Sequence, residues 1–409
     1  MNDRVVQWLR ENPLVITGTG AVSAAGDSVE KLWEAAVQGQ SLGQMLEFEE
    51  GVYAGCVVPP EAMRTWKSSL MRKADRTAQF AVMAAQEAWL QAGIREGNLA
   101  PERLAIFAGT SRGPVGKVLE AAGRARMNRM LPSLAASSTM ASLSGTLAVE
   151  FGACGPSLTV SGACASSAAA IMMAAEQLLL GKADMALAGG AEAPLHPIVL
   201  AQLQAAGILG HGEIAAEVCR PFDLHRTGTI LGEGAGFLII ETEAHARERG
   251  AEILARLSGW AVGAEGGERT GISKDSASLT QVMRQALKLA GLNPSEIGYV
   301  NAHGTGTILN DRQETIACQS VFGTKTPPCS SIKPVTGHCM GAAAALEAVV
   351  CIKALQDGVL PPSPNWKTAD PNCAMDIIAE KARKIRVKDV LSNSSGFWGN
   401  NAALVFSRS

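Results

Sequence analysis

One cysteine in this sequence lies in a setting that suits covalent chemistry. Cys164 follows the apolar run 157–160 and comes just before an Ala-rich helical pattern, and its neighbours Gly162, Ala163 and Ala165 are small. A helix N-terminus supplies free N–H groups and a partial positive charge, which favour a thiolate and can bind an oxyanion. The sequence therefore predicts that Cys164 is a thiolate nucleophile able to attack a thioester. A buried structural cysteine is the alternative.

A histidine follows another predicted strand and begins a loop rich in glycine and threonine. The residues after strand Gly298–Asn301 include His303, Thr305 and Thr307. Glycine lets a ligand approach the backbone closely, and side chains two residues apart point the same way in an extended segment. The loop is therefore a candidate binding site. A loop histidine with threonine-capped turns would leave the same pattern.

A third segment brings a lysine and a histidine to the start of another helix. Lys333 precedes His338 by five residues, and an Ala-rich helix that carries Glu347 follows. A helix N-terminus disfavours imidazolium, so His338 is predicted to be neutral and able to donate a hydrogen bond. The alternative is a structural histidine whose ring nitrogens are hydrogen-bonded within the fold, beside a lysine on the surface. Ligands of open α/β sheets bind beyond the carboxyl ends of strands, so all three segments can meet there.

The elements that position these residues follow an α/β pattern. Short β-branched runs alternate with longer Ala- and Leu-rich stretches, which is typical of sheets covered by helices. The predicted strands are Leu14–Thr17, Leu104–Gly109, Ser157–Val160, Met185–Ala188, Gly236–Glu241, Glu252–Trp260, Gly298–Asn301, Cys329–Ile332, Val390–Asn393 and Ala402–Ser407. The predicted helices include Ala74–Ala92, Ala165–Leu180, Ser276–Ala290 and Gly341–Leu355.

The two halves of the chain echo one another. The segment 14–24 resembles 254–264, and the cysteine segment 159–164 resembles 332–341, because each leads from a strand into a small-residue helix. These echoes predict a tandem duplication with an N-terminal half over 1–250 and a C-terminal half over 251–409. Two unrelated α/β domains are the alternative. Since no Pro/Ser-rich linker or charge run separates the halves, we expect them to share a core.

Composition excludes several classes of protein. With 409 residues, 47% of them hydrophobic, the chain is neither disordered nor short of core material. Its formal net charge of −2 gives no reason to expect nucleic acid or an anionic membrane as partner. Nine scattered cysteines without a CxxC pair, and no apolar run suited to a membrane span, predict a reduced, cytoplasmic protein. Zinc-spaced ligands and a Walker loop are missing from the sequence, so no metal or nucleotide cofactor is expected.

Taken together, the three segments resemble the β-ketoacyl-[acyl-carrier-protein] synthases, closest to the synthase I/II type. Further matches are Arg220-Pro221-Phe222-Asp223, the glycine-rich run 231–236, and 310–314. The resemblance spans nearly the whole chain from Leu14 onward. It implies a thiolase-like five-layered α/β/α/β/α fold with two duplicated halves. It also implies a homodimer, with a ketosynthase heterodimer as an alternative. Substrates would arrive on the phosphopantetheine arm of an acyl carrier protein, and no other cofactor would be needed.

The resemblance assigns a role to each candidate residue. Cys164 would accept the acyl group, and His303 and His338 would promote decarboxylation of a malonyl thioester and stabilise the enolate. The N–H groups of Cys164 and Phe397 would form the oxyanion hole. Supporting charges would come from Lys333, Asp311, Glu314 and Glu347, for which an ordinary ion-pair network is the alternative. Thr305 and Thr307 would bind the pantetheine arm.

Several positions depart from the family pattern. Ser395 and Thr229 stand where the family has phenylalanines, Trp398 replaces a glycine beside Phe397, and Arg112 replaces a residue that is commonly apolar. If Arg112 faces the acyl pocket and Trp398 refills volume near its gate, the chain bound there is short, unsaturated or polar. Arg112 could instead turn toward a dimer interface. The departures favour a specialised polyketide- or polyene-like pathway over housekeeping fatty-acid synthesis.

A basic cluster and two rival functions complete the interpretation. Lys67, Arg72 and Lys73 precede a helix in the region where the family docks its acidic carrier protein, although an ordinary solvated helix start would look the same. A degradative thiolase would use a second cysteine as base, and Cys339 follows His338 directly. A non-catalytic partner subunit of a ketosynthase heterodimer would typically lack the nucleophile, which is retained here.

Overall fold

All ten predicted strands belong to one sheet. The computed structural model describes residues 3–95, 99–266 and 276–409. Its strands are β1 (Leu14–Val22), β2 (Gln44–Phe48), β3 (Gly51–Cys56), β4 (Leu104–Gly109), β5 (Ser157–Val160), β6 (Met185–Glu192), β7 (Leu231–Gly232), β8 (Gly234–Thr242), β9 (Ala255–Gly263), β10 (Ile297–Asn301), β11 (Cys329–Ser330), β12 (Val359–Leu360), β13 (Arg383–Lys384), β14 (Asp389–Gly396) and β15 (Asn400–Ser407). The predicted strand ends differ from these by up to three residues, except that β1 and β6 extend further.

The four predicted helices are also present, and their ends differ from the prediction by at most two residues. The helices are α1 (Asp3–Glu11), α2 (Val29–Val37), α3 (Ser69–Lys73), α4 (Arg76–Gln91), α5 (Val115–Arg126), α6 (Leu134–Ser137), α7 (Ser142–Phe151), α8 (Ser166–Leu179), α9 (Pro197–Ala205), α10 (Glu243–Glu248), α11 (Ala277–Ala290), α12 (Ile308–Phe322), α13 (Lys333–Thr336) and α14 (Ala343–Asp357). Across the described ranges, none of them is long and apolar enough to cross a membrane.

The order of strands shows that the fold is duplicated. In the described residues, ten strands pair in the order β5-β4-β6-β8-β1-β9-β15-β14-β10-β11. When the strands of each half are numbered along the chain, both halves have the same order, 3-2-4-5-1. The halves join where β1 runs antiparallel to β9, with Leu14 opposite Leu257. The chain crosses between them after β8, in the connection that contains the predicted boundary at residue 250.

Five layers result from the way the helices cover this sheet. The helices α8 and α14 contact each other and strands of both halves, so they form the central layer. The helices α4 and α7 cover the outer face of the first half, and α11 and α12 pack in the outer core of the second. Alanines dominate the buried faces of α8 and α14, and small side chains let packed elements approach closely. The observed architecture is the expected α/β/α/β/α arrangement.

The layers also place the candidate residues. Cys164 follows β5 and precedes α8, whereas His338 follows β11 and precedes α14. His303 follows β10, which is paired in parallel with β11 and β14. Because the two central helices lie side by side, their N-terminal ends bring residues of both halves together. The catalytic candidates therefore meet at the centre of the molecule, between the halves.

Tight packing between β8 and α14 predicts a stability effect at Gly236. A Cβ atom there would lie 2.7 Å from the backbone of Ala345 and Leu346, which cannot rotate away. We expect Gly236→Ala to lower the free energy of unfolding by about 1–3 kcal/mol. Gly123→Ala in α5 is the matched control, because nothing lies within 4 Å of its added Cβ. Thermal unfolding of both variants is the measurement. A Gly236→Ala protein as stable as the wild type would contradict this packing.

Candidate active site

Cys164 lies on a sharp turn between β5 and α8. Ala163 has a positive φ of 51°, and Cys164 is 7% exposed. The Ser166 hydroxyl donates to the carbonyl of Ala163 and accepts the N–H of Gly162, so it braces the turn from within. The end of β14 lies directly against the cysteine, since a Cβ on Gly396 would be 2.9 Å from the Cys164 nitrogen. The turn thus holds the thiol at the junction of the halves.

The predicted resting thiolate is wrong. Burial raises the pKa of the Cys164 thiol to about 12, although the Lys333 ammonium and the N–H of Phe397 oppose this rise. The helix begins two residues after the cysteine. The free-energy cost of desolvating a thiolate exceeds the stabilisation of the thiolate by Lys333 and the Phe397 N–H. The thiol is therefore protonated at neutral pH. A base must remove its proton as it attacks.

His338 is positioned to be that base. Its Nε2 lies 3.1 Å from the Cys164 sulfur. The backbone of His338 is fixed on both sides, because its N–H donates to the carbonyl of Ile230 and its carbonyl accepts the N–H of Gly232. The ring meets that of His303 edge-on, with centroids 5.2 Å apart and an interplanar angle of 83°. Cysteine and both histidines therefore form one cluster.

A buried carboxylate holds the loop that carries His303. The N–H groups of His303 and Gly304 donate to Glu314 over 2.7 and 2.8 Å, and the Asn393 amide donates to the same carboxylate over 2.7 Å. Burial raises the pKa of Glu314 to about 7, and these donors oppose the rise because they favour the ionised form. Glu314 thus orients the histidine loop and does not face the reacting atoms.

Lys333 and Glu347 form a buried ion pair beside the histidines. The Lys333 ammonium lies 2.6 Å from Glu347 and 3.3 Å from Nδ1 of His303. The alternative of a surface lysine is excluded, because Lys333 is 0% exposed. An ammonium can only donate, so Nδ1 of His303 accepts and its proton resides on Nε2. His303 therefore offers an N–H donor to the cavity.

Both histidines are held neutral. Burial first, and then the neighbouring Lys333 charge, hold the pKa values of His303 and His338 well below the usual range. The predicted neutral state of His338 is confirmed, but its cause is burial and a nearby cation instead of the helix N-terminus. Burial also raises the pKa of Glu347, against the opposing effect of Lys333. A neutral imidazole can donate a hydrogen bond to a developing oxyanion without carrying charge beforehand.

A cavity of about 310 Å³ opens onto these groups. Its wall includes eight of the predicted site residues, namely Cys164, His303, His338, Thr305, Thr307, Thr229, Ser395 and Phe397. The hydroxyls of Thr305 and Thr307 lie 2.8 Å apart, so the two threonines do face the same way. The Phe397 N–H donates to the cysteine sulfur, and the preceding Gly396 lies against the Cys164 nitrogen. The structure thus brings the nucleophile, the N–H donors and the two threonine hydroxyls together in one cavity.

Two predicted pocket residues lie elsewhere. The Arg112 guanidinium donates to the Gln202 amide on α9 over 3.3 Å, and Arg112 is not part of the cavity wall. Trp398 has a φ of 65° and is 63% exposed, so it does not refill volume beside Phe397. The pocket interpretation is wrong for both, because Arg112 is half-buried against Gln202 outside the cavity wall, whereas Trp398 is exposed to solvent.

The basic cluster lies on the surface. Lys67, Arg72 and Lys73 are all exposed. Arg72 donates to the backbone carbonyls of Trp66 and Lys67, which folds the segment before α3 back onto it. A role in docking stays a prediction. Lys67 and Lys73 are the residues whose charge can be changed without removing those two bonds.

One positioning residue escaped the sequence analysis. Arg226 is 5% exposed and donates to the carbonyls of Thr307 and Ile308 on the threonine loop. It also pairs with Asp370 over 2.6 Å and with Asp311 over 3.6 Å. Asp311 in turn accepts the N–H of Phe222 and of Gly306, so its predicted supporting role takes the form of a loop brace. No local signal marks it, because its segment also contains Arg220 and Asp223.

The residues described contain no group of three or more His, Cys, Asp or Glu side chains that could hold a metal ion. The cluster of Cys164, His303 and His338 instead has the composition of an acyl-transfer site. It combines a nucleophile, a base in hydrogen-bond reach and N–H donors for an oxyanion. The absence of a cofactor other than the carrier arm stays a prediction.

Comparison with known proteins places this site in a family. Residues 11–246 match the family model "Beta-ketoacyl synthase, N-terminal domain", and 254–367 match "Beta-ketoacyl synthase, C-terminal domain". A relative from Streptomyces halstedii, named "Putative polyketide beta-ketoacyl synthase 1", is 34% identical over 410 residues, which cover 96% of this chain and 97% of the relative.

Solved structures agree with this placement. The complex AntDE:AntF, described as a type II PKS acyl-carrier protein with its ketosynthase bound to the hexaketide, contains a chain similar to this one with a TM-score of 0.91 and 28% identity. That match covers 97% of this chain and 99% of the other. The ishigamide ketosynthase/chain length factor matches with a TM-score of 0.90 and 32% identity, over 97% and 99% of the two chains.

Proposed function

The chain belongs to the β-ketoacyl synthase family and is an acyltransferase, and we propose that Cys164 carries the acyl group during a decarboxylative Claisen condensation. The distance of 3.1 Å between the Cys164 sulfur and Nε2 of His338 is the observation that carries this proposal. At this distance the neutral imidazole of His338 can accept the proton of the buried Cys164 thiol. The product would be a 3-oxoacyl thioester on an acyl carrier protein.

The first half-reaction transfers the acyl group to the enzyme. As the Cys164 sulfur forms a bond to the acyl carbonyl carbon, its proton moves to Nε2 of His338. The carbonyl oxygen gains negative charge and accepts hydrogen bonds from the N–H groups of Cys164 and Phe397. The bond to the carrier thiol then breaks, and His338 returns the proton to the leaving sulfur. An acyl-cysteine and a free carrier thiol remain, as covalent catalysis requires.

The second half-reaction forms the carbon–carbon bond. A malonyl thioester binds with its carbonyl oxygen near Nε2 of His303, which carries a proton because Nδ1 accepts from Lys333. The bond to the carboxylate breaks, carbon dioxide leaves, and the electron pair forms an enolate whose charge falls on that oxygen. His338 faces the same oxygen and donates to it from Nε2 once proton exchange with solvent has moved its ring proton from Nδ1 to Nε2. The enolate carbon attacks the carbonyl carbon of the acyl-cysteine, and the bond to the Cys164 sulfur breaks. The thiolate then takes up a proton from solvent, which is the one proton that the decarboxylative condensation consumes.

Substrate class follows from the cavity wall and the relatives together. The Streptomyces halstedii relative is named as a polyketide synthase component, and the hexaketide bound in AntDE:AntF is a polyketide. In this chain Thr229 and Ser395 place hydroxyls on the cavity wall where the family has aromatic rings, and Ser395 Oγ has no hydrogen-bond partner among the residues described. These two hydroxyls in a mainly apolar wall support a specialised polyketide-like substrate over a saturated housekeeping one.

Partners are proposed on similar grounds. AntDE:AntF contains an acyl-carrier protein, which supports one as the substrate donor here. The strand β5 is an edge of the sheet in the described residues, and Leu158 on it is 52% exposed, which supports a second copy pairing there. The ishigamide complex supports a chain length factor as the alternative partner. The mass of the purified chain in solution distinguishes a homodimer from a chain that needs a different partner.

Nine free cysteines support a cytoplasmic location.

The rival functions lose support from the site. A thiolase-type base at position 339 is disfavoured, because Cys339 is 0% exposed, donates to the carbonyl of Thr336 and does not line the cavity. Burial also raises the pKa of its thiol well above the usual range. A non-catalytic subunit is disfavoured because Cys164, His303 and His338 are all present and in contact.

Partial reactions test the proposed roles. Cys164→Ala should lower condensation at least about 1,000-fold and abolish the acyl-enzyme adduct seen by intact-protein mass spectrometry. His303→Ala should still form the acyl-enzyme but release carbon dioxide from malonyl carrier protein far more slowly. Cys339→Ala is the matched control and should change neither step appreciably. An acyl adduct that survives Cys164→Ala, or a strong loss in Cys339→Ala, would contradict the assignment.

The docking proposal has its own test. Reversing Lys67 and Lys73 to Glu should raise KM for acyl-carrier protein roughly 3- to 10-fold, because exposed charges mainly steer association. KM for a small pantetheine thioester should not change. Lys182→Glu is the control, since this exposed lysine precedes β6 and so lies at the end of the sheet away from the cavity. Equal effects on both substrates, or an equal effect of Lys182→Glu, would remove the cluster from the docking surface.

A further inference from the structure

The second half repeats the nucleophile turn without its nucleophile. Ala163 before α8 and Met340 before α14 both have positive φ, of 51° and 44°. The same 177 residues separate Ala163 from Met340 and the first residue of α8 from that of α14. The residue that corresponds to Cys164 is therefore Gly341. A duplicated fold has thus kept the sharp turn in both copies and the thiol in one.

A buried carboxylate occupies the space beside Gly341. One oxygen of Glu192 accepts the N–H groups of Gly341 and Ser111 over 3.0 and 2.6 Å. The other accepts the N–H of Arg112 over 2.9 Å and the hydroxyl of Thr110 over 3.1 Å. A Cβ on Gly341 would lie 2.6 Å from the first oxygen, so a cysteine side chain at this position would clash with the Glu192 carboxylate.

The residues around Glu192 in the first half occupy positions equivalent to those of the His303 loop in the second half. The loop after β4 begins at Thr110, as the loop after β10 begins at Ala302, so Ser111 takes the place of His303. Two successive N–H groups of each loop donate to a buried carboxylate, which is Glu192 in one copy and Glu314 in the other. The second pocket therefore has glycine and serine where the first has cysteine and histidine.

We propose that Glu192 fills this second pocket and acts as a positioning residue for the catalytic turn 338–341. The turn is held at one end by the N–H of His338, which donates to Ile230, and at the other by the N–H of Gly341, which donates to Glu192. Between these points Met340 lines the catalytic cavity in a strained conformation. Without the carboxylate, three buried N–H groups lose their acceptor and the turn loses its anchor.

The carboxylate form is what this site requires. Glu192 is 0% exposed, and all four of its hydrogen-bond partners are donors. Burial raises the pKa of Glu192 to about 7, while the donors oppose that rise by favouring the ionised form. An amide of the same shape would turn an NH2 group toward N–H donors. Glu192→Gln therefore removes the charge and one of the two acceptor oxygens with almost no change in volume.

The matched control is another carboxylate with the same kind of bonds. Glu87 on α4 accepts the N–H groups of Ala21 and Val29, each over 2.8 Å, and touches no part of the catalytic turn. Glu87→Gln should lower the unfolding temperature and leave kcat unchanged. Glu192→Gln should lower kcat about 10- to 100-fold, because small displacements of catalytic groups have effects of this size. KM for the carrier substrate should stay within about twofold.

The inference rests on the proposed condensation, and the experiment separates the two. If the wild type does not condense acyl and malonyl carrier substrates, the proposed function fails. If the wild type condenses them and Glu192→Gln does so with the same kcat, the positioning role is rejected. Should Glu192→Gln not fold, Glu192→Asp decides, because it keeps the charge on a shorter arm. A lower kcat at unchanged KM then supports the role, and a wild-type kcat overturns it.

Discussion

The site depends on one buried ion pair. Lys333 and Glu347 are 0% and 2% exposed, and the Lys333 ammonium contacts the His303 ring directly. Burying charges is costly unless each finds a partner, and breaking such a pair typically costs about 3–5 kcal/mol. Any rearrangement of the surrounding core that separates Lys333 from Glu347 is therefore strongly disfavoured. In return, the cation sets the His303 tautomer and helps to keep both rings neutral.

Duplication explains how such a site arises at the centre of the molecule. Each half alone places one sharp turn and one loop at the carboxyl ends of its strands. Packing α8 against α14 brings the turn of the first half to the loop and turn of the second. The two copies have then diverged: one holds Cys164, and the other is closed by Glu192. A single active centre follows from a nearly symmetric scaffold.

Much of this could be predicted from the sequence, and what could not has physical reasons. Apolar runs marked all ten sheet strands, and Cys164, His303 and His338 stood out because each follows a strand end. The directions of Arg112 and Trp398 depend on single side-chain rotations and a positive φ, which no local pattern encodes. The thiol's protonation depends on burial by the other half. Glu192 is a charged residue at the end of an apolar strand, where the sequence alone suggests an exposed side chain. Only the folded structure brings its hydrogen-bond donors together around it.

The central claim is that burial and Lys333 keep His303 and His338 neutral while they donate hydrogen bonds. Nitrogen-15 NMR of histidine-labelled protein, assigned with His303→Asn and His338→Asn variants, measures this directly. Histidine in an unstructured chain titrates near pH 6.5. Because the pKa of each ring is well below that value in the fold, both should keep the shifts of neutral imidazole from pH 8 down through 6. Imidazolium shifts with a midpoint near 6.5 at either ring would contradict the account.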